Sequence, residues 1–198
     1  TGMQPFARAV QREVEMPAKI GIHPRKDCFI HAMPCFVGGG ADVAGIKWVS
    51  GYPLNQAKGL PYITGVMCLN DPETGFVKVI MDANWITAWR TGAATGVCAR
   101  HMADPDSRVL AVIGLGVQGR TNAAALAAAL PKVEKVKVYD KHAEQVPRFL
   151  ELVKEDLKGI EVLPCATVEE TVSEADVVVT CTPIVNDPER FVRSEWLK

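Results

Sequence analysis

The 198-residue sequence is first informative for what it lacks. It has no continuous apolar stretch near the roughly 20 residues that cross a bilayer, and its start lacks the charged, apolar and small-residue zones of a secretory leader. Lys and Arg number 22 against 23 Asp and Glu, with no basic run, no acidic tail and no aromatic residues interleaved with basic ones. That excludes nucleic acid and membrane surfaces as expected partners. The cysteines at 28, 35, 68, 98, 165 and 181 form no C-x-x-C pair, and the histidines at 23, 31, 101 and 142 show no ligand spacing, so no metal site is expected. Most of the cysteines sit in apolar runs and read as buried, reduced thiols of a cytoplasmic protein. Repeats and low-complexity segments are absent. A hydrophobic fraction of 48% and a formal charge of −1 describe a globular chain of one large domain or two small ones.

What is present centres on residues 109–140. The run 109–113 is apolar and β-branched, as in a strand buried on both faces. It leads into Gly114-Leu115-Gly116-Val117-Gln118-Gly119, a G-x-G-x-x-G, and then into an alanine-rich segment of high helix propensity. A second strand, 136–139, ends on Asp140. This is the sequence form of a βαβ dinucleotide-binding unit. Gly114 provides the tight turn, Gly116 the close approach of a pyrophosphate, and Gly119 the contact between helix and strand. The first-turn N–H groups and the positive end of the helix favour phosphate. Asp140 suits ribose hydroxyls and repels a 2′-phosphate, whereas the neighbouring Lys141 is able to hold one. NAD(H) is favoured over NADP(H).

The segment before residue 109 has a different texture. Short apolar runs at 14–22, 28–33, 43–49, 61–69 and 76–81 are separated by Gly, Pro, Asn and Asp, which predicts strands in a mixed or antiparallel sheet. A helix over 84–102 follows, with Asp82 or Asn84 as N-cap. Its Gly92, Ala93, Ala94 and Gly96 imply close packing on another backbone. Strands at 109–113, 136–139, 160–163 and 177–180 then alternate with helices at 118–130, 143–157 and 168–173. The fold class is α/β: a Rossmann-type doubly wound parallel sheet over 105–198, C-terminally incomplete at four strands, plus a strand-rich α+β domain over 1–104.

Outside the glycine loop, four places hold polar residues that packing alone does not explain. Lys47 interrupts a strand-like run, either as a solvated residue or as a charge aimed into a cleft. Arg90, with Thr91, lies in a helix whose small residues imply packing, where a charge needs a partner. It is either a surface arginine or a bidentate grip for a carboxylate. Thr180-Cys181-Thr182-Pro183 follows the fourth strand, at the edge where open α/β sheets bind ligands, although a Pro-ended loop reads the same way. Lys19, in the first expected strand, carries little information by itself.

Taken together, these stretches resemble the ornithine cyclodeaminase/μ-crystallin family, in its branch of archaeal-type alanine dehydrogenases and imine reductases. The resemblance rests on MPAKIGIHPR with HAMP (16–25, 31–34), AGIKWVSGYPLN (44–55), GLPYITGVMCLNDPETGFVKVIMD (59–82), ITAWRTGAATG (86–96), VIGLGVQGRT (112–121) and TCTP (180–183). It implies that Lys47 binds substrate or moves a proton, that Arg90 holds a substrate carboxylate, and that Lys19 adds a second contact as a point charge where arginine is usual. It places Thr91, Gly114, Gly116, Val117, Gln118, Gly119, Asp140 and Lys141 at the cofactor, with Thr180, Thr182 and Pro183 on its nicotinamide side.

The implied activity is NAD(H)-dependent reductive amination of a small 2-oxo acid such as pyruvate, or reduction of an imino acid such as iminosuccinate. The alternatives are an ornithine cyclodeaminase-type lyase that recycles NAD and a non-catalytic μ-crystallin-like binder. A homodimer formed through the strand-rich domains is implied as well. Family members typically exceed three hundred residues, and the segment bearing their acid/base aspartate is not represented in this sequence. The 198 residues by themselves are therefore expected to be inactive.

Overall fold

The structure, a computed structural model, describes residues 13–183 and 188–198. By internal contacts the chain divides into two compact units, Thr1–Thr87 and Ala88–Lys198. The Asp104-Pro105-Asp106 stretch predicts a boundary at 104/105 instead, after the long helix.

The first unit is one antiparallel sheet. Its strands are β1 (Val14–Glu15), β2 (Ile20–Ile22), β3 (Phe29–Val37), β4 (Val43–Gly51), β5 (Ile63–Asn70) and β6 (Val77–Asp82), in the order β1-β3-β4-β5-β6 with β2 also pairing β3. The single strand expected over 14–22 is two short ones. Pro17 lies between them, and a proline has no N–H to give a ladder. Lys19 consequently lies outside any strand, one residue before β2. The tight turn at 71–76 is set by Asp71, whose Oδ1 accepts the N–H groups of Glu73 and Thr74.

Helix α1 (Asn84–Met102) leaves this sheet. Asp82 acts at its start, with Oδ1 accepting the Asn84 N–H at 2.8 Å.

The second unit contains β7 (Val109–Ile113), α2 (Val117–Ala129), β8 (Lys135–Tyr139), α3 (Gln145–Val153), β9 (Glu161–Pro164), α4 (Val168–Val172) and β10 (Val177–Thr180). The strands are parallel throughout, ordered β10-β7-β8-β9. Alternation along β7 divides the core. Leu110 and Val112 pack with Leu126, Val136, Val138, Phe149 and Val153 on one face, and Ala111 and Ile113 pack with Val172 and Ala175 on the other. This is the doubly wound α/β layout. Helix α3 is shorter than expected, and its Pro147 sits in the first turn, where the missing N–H costs nothing.

Candidate functional site

The glycine loop is built by the ends of three strands. Gly114 N–H donates to Tyr139 O at 2.9 Å, and Cys181 N–H donates to Ile113 O at 2.7 Å. The carboxyl ends of β7, β8 and β10 are thereby laced together, and the loop, Asp140 and the 180–183 segment share one edge of the sheet. Ligands bind at this edge in open α/β sheets.

The three glycines have different reasons for being there. Gly114 sits at φ +93°, and a Cβ on it would lie 2.8 Å from the Cys181 carbonyl. A Cβ on Gly119 would lie 2.1 Å from Gly114 O. The fold itself requires both. Gly116 has φ −72°, and a Cβ on it would meet nothing within 4 Å. Neither conformation nor packing demands glycine there; room for an incoming group does. Gly116 is also the N-cap of α2, so no side chain caps the first-turn N–H groups of Val117, Gln118 and Gly119, and no acid stands in that turn. Open space before an uncapped helix start fits a dinucleotide pyrophosphate.

Asp140 has a second task that its position in the sequence did not reveal. Its Oδ2 accepts the Leu115 N–H at 2.8 Å, and its Oδ1 accepts the His142 N–H at 2.9 Å. The carboxylate pins the loop while each oxygen keeps a lone pair for a ribose hydroxyl. Lys141, Thr180, Thr182 and Pro183 are exposed on this edge. Burial pushes the Cys181 thiol up to about 11, so it is a protonated packing group and no nucleophile.

Helix α1 runs directly against α2. A Cβ on Gly92 would sit 2.3 Å from Thr121 O, and one on Gly96 would sit 2.8 Å from Ala125 O. The expected close approach is therefore made by these two glycines, one helical turn apart. It sets Arg90 and Thr91 within a turn of the contact with the start of α2. Arg120, which the sequence reading passed over, adds to this. Its guanidinium lies 5.8 Å from the Trp89 ring centre and donates to Asp156 Oδ2 at 3.2 and 3.3 Å. A basic residue directly after the third glycine was the available signal.

Arg90 has no acidic partner among the described residues. Although the residue as a whole is exposed, desolvation around its guanidinium lowers its pKa; it stays a cation at any ordinary pH.

In the first unit, Lys47 is 7% exposed, opposite Met33 on β3 and Met67 on β5. The choice between a solvated strand residue and an inward charge is resolved as inward, since lysine is rarely buried without a reason. Of the cysteines only Cys28 is buried, while Cys98 is exposed and the rest are half-buried. The expectation that most are buried is not met: Cys35 and Cys68 lie in sheet strands whose apolar runs do not guarantee a covered face, Cys98 is on α1, and Cys165 and Cys181 directly follow β9 and β10. All six are free thiols.

The parallel sheet, the glycine loop and the aspartate after its second strand define a dinucleotide-binding α/β protein. The family follows from comparison: the model of the ornithine cyclodeaminase/mu-crystallin family matches residues 2–198, and the chain belongs to that family. It is 39% identical over 168 residues to the nodulation efficiency protein NfeD of Rhizobium meliloti, covering 85% of this chain and 51% of that protein. To the alanine dehydrogenase of Archaeoglobus fulgidus it is 35% identical over 186 residues, 94% of this chain and 54% of the relative. The solved Δ1-pyrroline-2-carboxylate reductase of Thermococcus litoralis, in complex with NADH and L-proline, matches with a TM-score of 0.89 at 31% identity, covering 99% of this chain and 59% of that one. An archaeal alanine dehydrogenase dimer with bound NAD matches with a TM-score of 0.83 at 32% identity, over 99% and 57% of the two chains. The chain thus spans about half the length of the curated relatives it matches.

Proposed function

We propose that the full-length protein is an NAD(H)-dependent oxidoreductase of a small amino or imino acid, working by reductive amination of a 2-oxo acid or by reduction of an imine. One observation carries this reading: Arg90, a cation with no acid beside it among the described residues, lies within a turn of the helix contact behind the glycine loop. A guanidinium so placed suits a substrate carboxylate in bidentate fashion. Thr91 serves the cofactor phosphates together with the loop residues 114–119. Thr180, Thr182 and Pro183 serve the nicotinamide side. Asp140 favours NAD(H) over NADP(H). Bound NADH supplies the hydride. Lys47 polarises the carbonyl or imine, or relays a proton to its nitrogen, and Lys19 adds positive charge for the substrate.

We also propose a homodimer formed through the strand-rich units. It is supported by β6, a sheet-edge strand that leaves Val77, Val79, Ile80 and Met81 exposed.

The test is nicotinamide absorbance on the full-length protein with NADH, ammonia and a panel of small 2-oxo acids including pyruvate and oxaloacetate, beside a tube of NAD with ornithine assayed for proline. The expected result is steady NADH loss with one oxo acid, reduced at least ~100-fold by Arg90→Ala because a charged, bidentate contact is removed. Proline formed without net change in the cofactor makes the protein a cyclodeaminase instead. Silence in both tubes with NADH still bound leaves a small-molecule binder.

A further inference from the structure

One guanidinium ties three helices together beside the glycine loop. Arg120 stands in the first turn of α2, where its N–H donates to Gly116 O at 3.1 Å. It therefore shares a turn with the uncapped N–H groups of Val117, Gln118 and Gly119. Its partly exposed side chain sends Nε and Nη2 to one carboxylate oxygen of Asp156, at 3.3 and 3.2 Å. Asp156 lies just past α3, in a turn closed by the Leu157 N–H on Val153 O at 2.8 Å. Val153 and Phe149 of that helix sit in the same core as Leu126 of α2. The guanidinium also stands 5.8 Å from the ring centre of Trp89, three residues before Gly92 on α1. At Gly92 and Gly96 the contact of α1 with α2 is backbone on backbone. Such a seam permits close approach, yet neither glycine supplies a side chain that stops one helix from sliding along the other. Arg120, braced on both sides, supplies that stop at the end nearest the loop.

We infer that Arg120 is a positioning residue for the cofactor: held by Asp156 and Trp89, it fixes the first turn of α2 and so the N–H groups that receive the pyrophosphate. The inference rests on the reading of residues 114–119 as a phosphate cradle. A basic residue directly after the third glycine invites the opposite assignment, a cation that touches phosphate itself. The geometry argues against that, because two of its donors are spent on Asp156 and the carboxylate offsets its charge. Backbone N–H groups bind phosphate only while they point at it, and a shift of about 1 Å at a binding group is enough to lose affinity. Two partners on different helices are what such a constraint requires.

The experiment titrates the full-length protein with NADH at low and high salt and follows amide hydrogen exchange over residues 117–120. Asp156→Asn is the deciding substitution, because it removes the partner and leaves the arginine charge. Positioning predicts NADH binding ~5-fold weaker, the scale of a partly exposed ion pair with a ring contact. It also predicts faster exchange confined to that turn, with the amides of β7 and β8 unchanged. Arg120→Lys should weaken NADH as much as Arg120→Gln does, since a point charge keeps the sign and loses the fork and the stacking. The salt dependence of NADH binding should be the same in Arg120→Gln as in the parent. A direct phosphate contact gives the reverse. Asp156→Asn then binds NADH as tightly as the parent or more so, Arg120→Lys keeps its affinity, and Arg120→Gln flattens the salt dependence; any of these overturns the inference. The exchange arm separates it from the cofactor reading. A parent that binds no NADH, with exchange in 117–120 still accelerated by Asp156→Asn, keeps Arg120 as the residue that fixes the helix and removes the cradle. NADH bound by the parent and unaffected by Asp156→Asn keeps the cradle and removes the positioning role.

Discussion

The two sheets of this protein are made from similar residues and treat them in opposite ways. In the parallel sheet, Leu110, Ala111, Val112, Val136 and Val138 are all fully buried, because helices cover both faces. In the antiparallel sheet, Trp48, Val66, Val79 and Ile80 are exposed although the strands are as apolar. The parallel unit carries its own core. The antiparallel unit presents apolar surface whose burial would stabilise it by roughly 25 cal/mol per Å², enough for a sheet edge to act as an interface. The candidate residues follow the same division. Gly114 and Gly119 of the parallel unit are fixed by backbone geometry, whereas Lys47 is placed by sheet register.

The sharpest way to break this contrast is to put a methyl group into the parallel unit where backbone stands. Gly119→Ala drives a Cβ to 2.1 Å from Gly114 O, which no side-chain adjustment relieves. The expected cost is about 3 kcal/mol or more, read as a fall in the urea midpoint together with loss of NADH binding. Gly116→Ala is the matched control. Its Cβ enters open space, so stability should change by less than about 1 kcal/mol while NADH binding weakens at least ~10-fold. Equal losses of stability from the two would mean that Gly116 is a packing glycine and that the loop is no phosphate cradle.

Most of the parallel unit was legible beforehand because each of its signals is local. The run 109–113, the G-x-G-x-x-G and the alanine-rich helix lie within 32 consecutive residues, and strands β7 and β10 coincide with their expected bounds. The helix at 84–102 was legible for the same reason, and its Gly92 and Gly96 announced the contact with α2. What escaped depends on residues far apart in sequence. Asp140 reads as a ribose ligand, and its hold on Leu115 N–H shows only once the loop folds back to it. Lys47 was ambiguous because alternation says that residues 45, 47 and 49 share a face but not which face is covered.

On the antiparallel side, a charge on the bare edge strand tests whether exposure there means an interface. Ile80 is 69% exposed in the single chain. Ile80→Lys should therefore leave folding within about 0.5 kcal/mol of the parent while converting the full-length protein from dimer to monomer in sedimentation. A dimer that survives the substitution would place the interface elsewhere.

The smallest expected effect lies where β7 begins. Asp176 Oδ2 accepts the N–H groups of Arg108 and Val109 at 2.8 and 2.9 Å, and its Oδ1 meets Lys198 Nζ at 2.8 Å. Lys198 and these backbone donors pull the carboxyl down to about 2. A depressed carboxylate contributes stability that is present above the unfolded-state value, near 3.9, and is lost as the pH falls through the folded one. The contribution should therefore be complete at pH 5 and fade between about pH 4 and pH 2. Solvent around the partly exposed side chain screens it to about 1 kcal/mol. Asp176→Asn should remove that amount at pH 7 and flatten the acid limb of the stability curve. Lys198→Ala should remove less, since the two backbone N–H groups stay paired. If the lysine substitution matches the asparagine one, the ion pair and not the backbone capping fixes the start of β7, and the self-sufficiency of the parallel unit would depend on its surface charges as well as its core.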